Sequence, residues 1–147
     1  MRFGIHNARS WAAGRFESTI RPLSQLDLQI LAIQETNANP INRPGYIRQA
    51  HRCGLFLSFG ESNNLIGTTA ILTSLPAAAY HLHFDAAHRD LTRYCHNAAF
   101  IHRPNERPLL FICIHLDAHN ALRRRQQLDA ITFAALASNE DFVIAGD

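Results

Sequence analysis

A mixed α/β fold with mostly antiparallel strands is what this sequence predicts, on three observations. Short apolar runs recur along the chain, and four of them close on a polar residue: Asn7, Glu35, His115 and Asp147. Two stretches, one through Phe16, Ile20 and Leu23 and one through Leu128, Ile131 and Ala135, repeat apolar residues at the spacing of a helix with one buried face. Between them lie short strand candidates separated by turn residues, the pattern of a meander.

In chain order, Phe3 to Ile5 read as a short first strand and residues 9–14 as a loop. Phe16, Ile20, Leu23 and Leu26 mark a helix; Pro22, which has no N–H to donate, either kinks it or falls in its first turn. The next strand, from Ile30, ends at Glu35 and leads into an Asn- and Pro-rich loop from Thr36 to Pro44, the kind of segment on which sites are built. Tyr46–Ala50, Gly54–Phe59, Thr68–Thr73 and Ala79–Phe84 are expected as strands, with residues 60–67 as a turn-rich connector. Asp85 to Thr92 reads as a polar loop, and Cys95–His102 with Pro108–His115 as a hairpin across residues 103–107. The second helix takes its N-cap from Asp117 or Asn120 and stops at Ser138-Asn139-Glu140, ahead of the final strand. The expected inventory is two helices among about eight strands, in one domain over residues 1–147.

A chain of 147 residues can bury about 68–70% of its unfolded surface in one core. With 47% hydrophobic and 18% charged residues it has the balance of an ordered globular protein and none of the bias of a disordered one. All 14 basic residues are arginine, yet the formal net charge is only +2, a weak field compatible with nucleic acid without being diagnostic of it. Arg123-Arg124-Arg125 fits a solvated helix face, or a phosphate contact, because the guanidinium fork matches phosphate. Cys53, Cys95 and Cys113 are odd in number and widely spaced, which points to neither a disulfide framework nor a cysteine zinc knuckle. A reducing, intracellular location, cytoplasmic or nuclear, is expected. No apolar run approaches the roughly 18 residues of a membrane span, so no membrane partner is expected.

Each polar strand-end residue alone reads as a turn, rim or satisfied core residue. Together, Asn7, Gln34-Glu35, Ile114-His115-Leu116 and Gly146-Asp147, in this order and at these spacings, resemble the endonuclease/exonuclease/phosphatase superfamily. Gly67-Thr68-Thr69-Ala70-Ile71-Leu72, Arg93 ahead of the next strand, and Arg124-x-x-Gln127-Leu128 add to the similarity, which runs from residue 2 to 147. The resemblance implies a DNase I-like α/β sandwich truncated to about its first half, as one mainly antiparallel sheet with flanking helices. It implies that Glu35 holds a metal, normally Mg²⁺ with Mn²⁺ as a substitute, and that Asn7 sits beside it. His115 would donate a hydrogen bond or proton to phosphate or leaving-group oxygens, and Asp147 would place the attacking water or help bind metal. The implied reaction is metal-assisted in-line attack of water on a phosphodiester, with nucleic acid as substrate and DNA favoured. Arg9, Arg93 and Arg124 are the candidates for phosphate contacts. The loose fit through residues 80–93 also resembles the endonuclease domain of a retrotransposon-type reverse transcriptase.

The sequence departs from that pattern where it ends. The superfamily's Asn two positions beyond the Gly-Asp aspartate, a later Asp and a Ser-Asp-His segment have no counterpart in it. The general base they supply is worth about 10²–10⁴-fold, so the isolated chain is expected to hydrolyse weakly or not at all. An uncovered apolar sheet face is expected as well, to be closed by the missing half of the domain or by a self-association partner. Two other readings compete. Cys113, His115 and His119 include a His-x-x-x-His pair, but that spacing aligns two ligands only on a helix, and His115 ends a strand. His81 and His83 are expected to share the solvent face of a strand. The second rival is a noncatalytic, degenerate module that binds nucleic acid or protein.

Overall fold

The structure, a computed structural model, describes residues 1–11, 15–62 and 68–147. Parts of the expected 9–14 loop and 60–67 connector, with Gly67, lie outside the described residues. Along the chain run β1 (Phe3–Asn7), α1 (Arg15–Gln25), β2 (Ile30–Gln34), α2 (Arg43–Arg52), β3 (Phe56–Phe59) and β4 (Ala70–Thr73). They are followed by β5 (Ala77–Tyr80), α3 (Ala86–Thr92), β6 (His96–Ile101), β7 (Leu109–Ile114), α4 (Ala121–Ala137) and β8 (Asp141–Gly146).

β2 and β7 are buried at every position, so both of their faces need cover. The cover comes from two four-stranded sheets, β1-β2-β4-β3 and β5-β6-β7-β8, packed face to face with helices outside. The α/β sandwich expectation therefore holds, while the expectation of a single sheet does not. Alternation explains the arrangement. Ile30, Ala32 and Ile71 of the first sheet meet Ala99, Phe111 and Cys113 of the second. The intervening Leu31, Ile33 and Leu72 face outward to Trp11, Phe16 and Leu23 on the α1 side. Leu110, Ile112 and Ile114 face outward to Ile131, Ala134 and Ala135 of α4. Because the sheets cover each other, the uncovered face expected from the sequence is replaced by open strand edges, with Phe3 and Ile5 of β1 exposed at 41% and 54%.

Several local expectations change. Tyr46–Ala50 is part of helix α2, because Pro44 sits in a first turn where its missing N–H costs nothing and Ala50 and Tyr46, four apart, both face the core. Residues 86–92 are helix α3, started by Asp85, whose side chain accepts from His88 N at 2.9 Å. β5 begins earlier and ends at Tyr80, so His81 and His83 lie beyond the strand, though both are exposed. Pro22 is in the interior of α1, not its first turn, and Leu26 falls after that helix, exposed. In α4 the buried face carries Gln127, Ala130 and Ile131, while Leu128 is exposed. Asn120 is the N-cap, accepting from Arg123 N at 2.9 Å.

His96 opens β6 and donates from Nδ1 to the Thr92 carbonyl at 2.8 Å, with its ring edge-on to Phe84. Burial is the main influence on this imidazole and holds its pKa below the ordinary 6.5, against the pull of the Thr92 carbonyl and Glu61. The unfolded chain therefore takes up this proton first. The stability linked to His96 is present above pH 6.5 and is lost as pH falls through the lower folded value. His96→Gln is expected to flatten the fall in stability as pH drops below 6.5, read by urea unfolding. An unchanged pH profile would show that His96 does not set it.

Candidate active site

The two parallel pairings build the site. β1 runs parallel to β2, placing Asn7 opposite Gln34, and β8 runs parallel to β7, placing Gly146 opposite Ile114. Across the sandwich, Gln34 Nε2 donates to Cys113 Sγ at 3.4 Å, and that thiol donates to the Ile33 carbonyl at 3.5 Å. The carboxyl ends of β2 and β7 therefore lie side by side, and all four polar strand-end residues share one rim. Burial pushes the Cys113 thiol up to about 12, and the same cause pushes Cys95 up to about 12. Both side chains are buried among apolar neighbours, where the thiolate is disfavoured.

Glu35 directly follows β2 with φ at +55°, a left-handed value that costs a non-glycine residue about 1–2 kcal/mol. The surroundings over-determine it. Ser10 N donates to the Glu35 carbonyl at 2.7 Å, Trp11 N to the Thr36 carbonyl at 2.9 Å, and Thr36 N to the Thr68 carbonyl at 3.0 Å. Arg9, Ser10 and Asn37, at φ 46°, 77° and 51°, share this conformation. Such clusters of held strain are found where a side chain must be aimed. Here the half-exposed Glu35 carboxylate reaches within 3.9 Å of His115 Nε2, so one member of the pair comes from each sheet. His115 Nδ1 is buried with no hydrogen-bond partner among the described residues, which leaves Nε2 as the ring atom that faces Glu35.

A cavity of about 520 Å³ opens beside this pair, bounded by α3, the β7–α4 loop and the start of α4. Gln127 fastens its walls: Oε1 accepts from Asp117 N at 2.9 Å and Nε2 donates to the Leu91 carbonyl at 3.1 Å. Asp117 accepts from the backbone N–H groups of Asn120 and His119, which hold its carboxyl below the usual range, and Arg123 Nε lies 3.5 Å from it. The Arg-x-x-Gln segment seen in the sequence thus organises the loop after His115.

The other sequence candidates are distributed unevenly. Asn7 is exposed at the rim, where Oδ1 accepts from Arg9 N at 3.0 Å, and it does not line the cavity. Asp147 is tied at the rim through its backbone, with Leu116 N donating to its carbonyl at 2.7 Å. Arg9 is exposed on the strained loop. Arg124 donates to the Asp117 carbonyl at 2.9 Å, bracing the loop. Arg93 is held by Glu61 at 2.6 Å in a second cavity, of about 280 Å³, on the other side of α3. Gln34, Leu91, Tyr94 and Asp117 were not foreseen as site residues. The one signal among them is Gln34, a polar residue in an otherwise apolar strand. Among the described residues no three His, Cys, Asp or Glu side chains group to hold a metal, and no helix is long and apolar enough to cross a membrane.

No protein-family model matches the sequence, and no curated protein matches it. Solved structures do. A 3′ phosphatase from Neisseria, NExo, bound to product DNA hairpin, superposes with a TM-score of 0.72 at 16% identity, over 100% of this chain and 57% of that one. An AP endonuclease from Archaeoglobus fulgidus gives 0.71 at 19% identity, with the same coverages of 100% and 57%. ANGEL2, a 2′,3′-cyclic phosphatase, gives 0.69 at 13% identity, over 99% of this chain and 51% of that one. The chain thus spans little more than half the length of these proteins, and the fold it shares with them is a DNase I-like α/β sandwich.

Proposed function

We propose that this chain carries the metal-binding side of a phosphodiesterase site that acts on nucleic acid, with DNA favoured. The observation that carries the reading is the convergence of Glu35 and His115 at 3.9 Å, from opposite sheets, beside an open cavity. The donor set suits Mg²⁺ or Mn²⁺. Such hard cations take oxygen ligands, often only one or two carboxylates, and complete their shell with water and phosphate. Glu35 is a half-exposed carboxylate whose approach to His115 leaves oxygen lone pairs for a cation. A bound cation would neutralise charge on the phosphoryl oxygens and activate water. The protein's part is to hold Glu35 in its strained conformation and to keep Asn7 at the adjoining strand end. It also presents His115 Nε2 as a donor to phosphate or leaving-group oxygen and brings Asp147 to the same rim to position water. Open edges at β1 and β8 leave room for additional strands, from a longer polypeptide or a partner.

The test measures DNA binding with and without Mg²⁺ by fluorescence anisotropy on a labelled hairpin. Mg²⁺ is expected to tighten binding, and Glu35→Ala is expected to remove that increment without lowering the metal-free affinity. If the metal has no effect on either protein, the metal-dependent reading fails. The noncatalytic nucleic-acid-binding or protein-binding module then becomes the better account.

A further inference from the structure

We propose that the 520 Å³ cavity beside Glu35 and His115 is a nucleobase pocket that receives an unpaired base next to the phosphate held at that pair. This rests on the function proposed above and adds a substrate class to it: single-stranded or extrahelical nucleotides.

The size falls within the roughly 300–1,000 Å³ of small-ligand pockets, larger than a lone phosphate requires. Its apolar wall is Leu91, Tyr94 and Leu116, which presents a ring and branched aliphatic surface to a flat ligand. Tyr94 is braced from outside, with the Arg93 guanidinium 5.3 Å from its ring centroid and Arg93 itself tied to Glu61. Charge decides the ligand. Three carboxylates, Glu35, Asp90 and Asp117, line the cavity against one arginine, Arg123, which already faces Asp117 at 3.5 Å, and two histidines, His115 and His119. A second phosphate there would meet net negative charge, whereas a neutral heteroaromatic ring offers N–H donors to the exposed Asp90 carboxylate, Asp117 being engaged already by His119 N, Asn120 N and Arg123. The cavity across α3 has the opposite character, with Arg89 and Arg93 against Glu61 and three histidines nearby. The two sides of α3 therefore differ in sign, and the acidic, apolar side is the one that opens onto Glu35 and His115. A base stacked inside a duplex cannot reach such a pocket, so the base must be unpaired or turned out of the helix.

The experiment titrates the whole chain with deoxyadenosine 5′-monophosphate and with deoxyribose 5-phosphate, following amide chemical shifts. The nucleotide is expected to bind more tightly than the sugar phosphate. Tyr94→Ala should remove that difference, with a loss of roughly 5- to 150-fold, the range for one stacked base. A second variant, Ala118→Trp, fills the pocket from its exposed side and should block the nucleotide without removing any wall. Repeating both titrations of the native chain with and without Mg²⁺ separates the two readings: a metal increment should be common to nucleotide and sugar phosphate, whereas the difference between them should persist without Mg²⁺, so the pocket and the metal reading fail separately. Equal binding of nucleotide and sugar phosphate, or equal binding of the nucleotide by folded Tyr94→Ala and the native chain, would overturn the proposal.

Discussion

Trp11→Ala is expected to destabilise the protein by about 3–5 kcal/mol, the range for removing a large aromatic side chain from a packed core. Trp11 is 1% exposed. Its ring meets Phe16, Tyr46 and Phe59 edge-on at 4.8, 5.2 and 5.7 Å, so one side chain joins α1, α2 and β3. Its Nε1 donates to Thr19 Oγ1 at 3.0 Å. Alanine would leave a cavity where three elements meet and take away that donor. The effect should also reach the site, because the backbone of Ser10 and Trp11 pins the carbonyls of Glu35 and Thr36. Urea unfolding measures the loss, and Trp11→Phe, which keeps most of the ring volume, should recover more than half of it. A cost under about 1 kcal/mol would mean that the outer layer closes over the gap and that Trp11 is not its keystone.

Trp11 also marks how far the sequence could be read. A tryptophan in a predicted loop gives no sign that it will be the centre of an aromatic cluster, since Tyr46 and Phe59 reach it only through tertiary packing. The same limit hid α2: Tyr46-Ile47-Arg48-Gln49-Ala50 has no strong period of its own, and what decides it is that Tyr46 and Ala50 land on the Trp11 cluster. α3 escaped because it is short and largely exposed, although its cap, Asp85, was visible as an Asp three residues before His88. β2, β7 and β8 were legible because long apolar runs closing on a polar residue have few other uses. Those runs showed burial on both faces without showing what provides the cover, and a second sheet was therefore missed. At the site, Glu35 and His115 were legible as strand ends. The destinations of Arg93 and Arg124 were not, because a long arginine side chain goes to whichever carboxylate or carbonyl folding brings within reach. Gln127 was visible as a motif residue, but its use as a buried clamp between α3 and the loop after His115 depends on both of its amide atoms finding partners.

Gly146→Ala is expected to cost about 2–5 kcal/mol, combining overpacking against backbone with a forced left-handed conformation. Gly146 has φ at +143°, a region that L side chains rarely adopt, and it pairs with Ile114 in the parallel β7–β8 register. A Cβ there would fall on the Ile114 carbonyl oxygen and come within 2.9 Å of that residue's carbonyl carbon and nitrogen. Backbone cannot swing aside as a side-chain tip can, so β8 must move. The movement matters for the site, because the next residue is Asp147, whose N–H donates to the same Ile114 carbonyl at 3.1 Å and whose carbonyl receives Leu116 N at 2.7 Å. Displacing β8 would loosen both bonds and shift the start of the loop that follows His115. Gly45→Ala supplies the control: a Cβ at Gly45, in α2, meets nothing within 4 Å and improves helix propensity, so it should be neutral or stabilise by up to about 1 kcal/mol. Thermal and urea unfolding of the two variants should therefore move in opposite directions, and amide shifts of His115 and Leu116 should change in Gly146→Ala alone. If Gly146→Ala were as stable as the native chain, β8 would not be held against β7 at this position, and the placement of Asp147 at the rim would have to be abandoned.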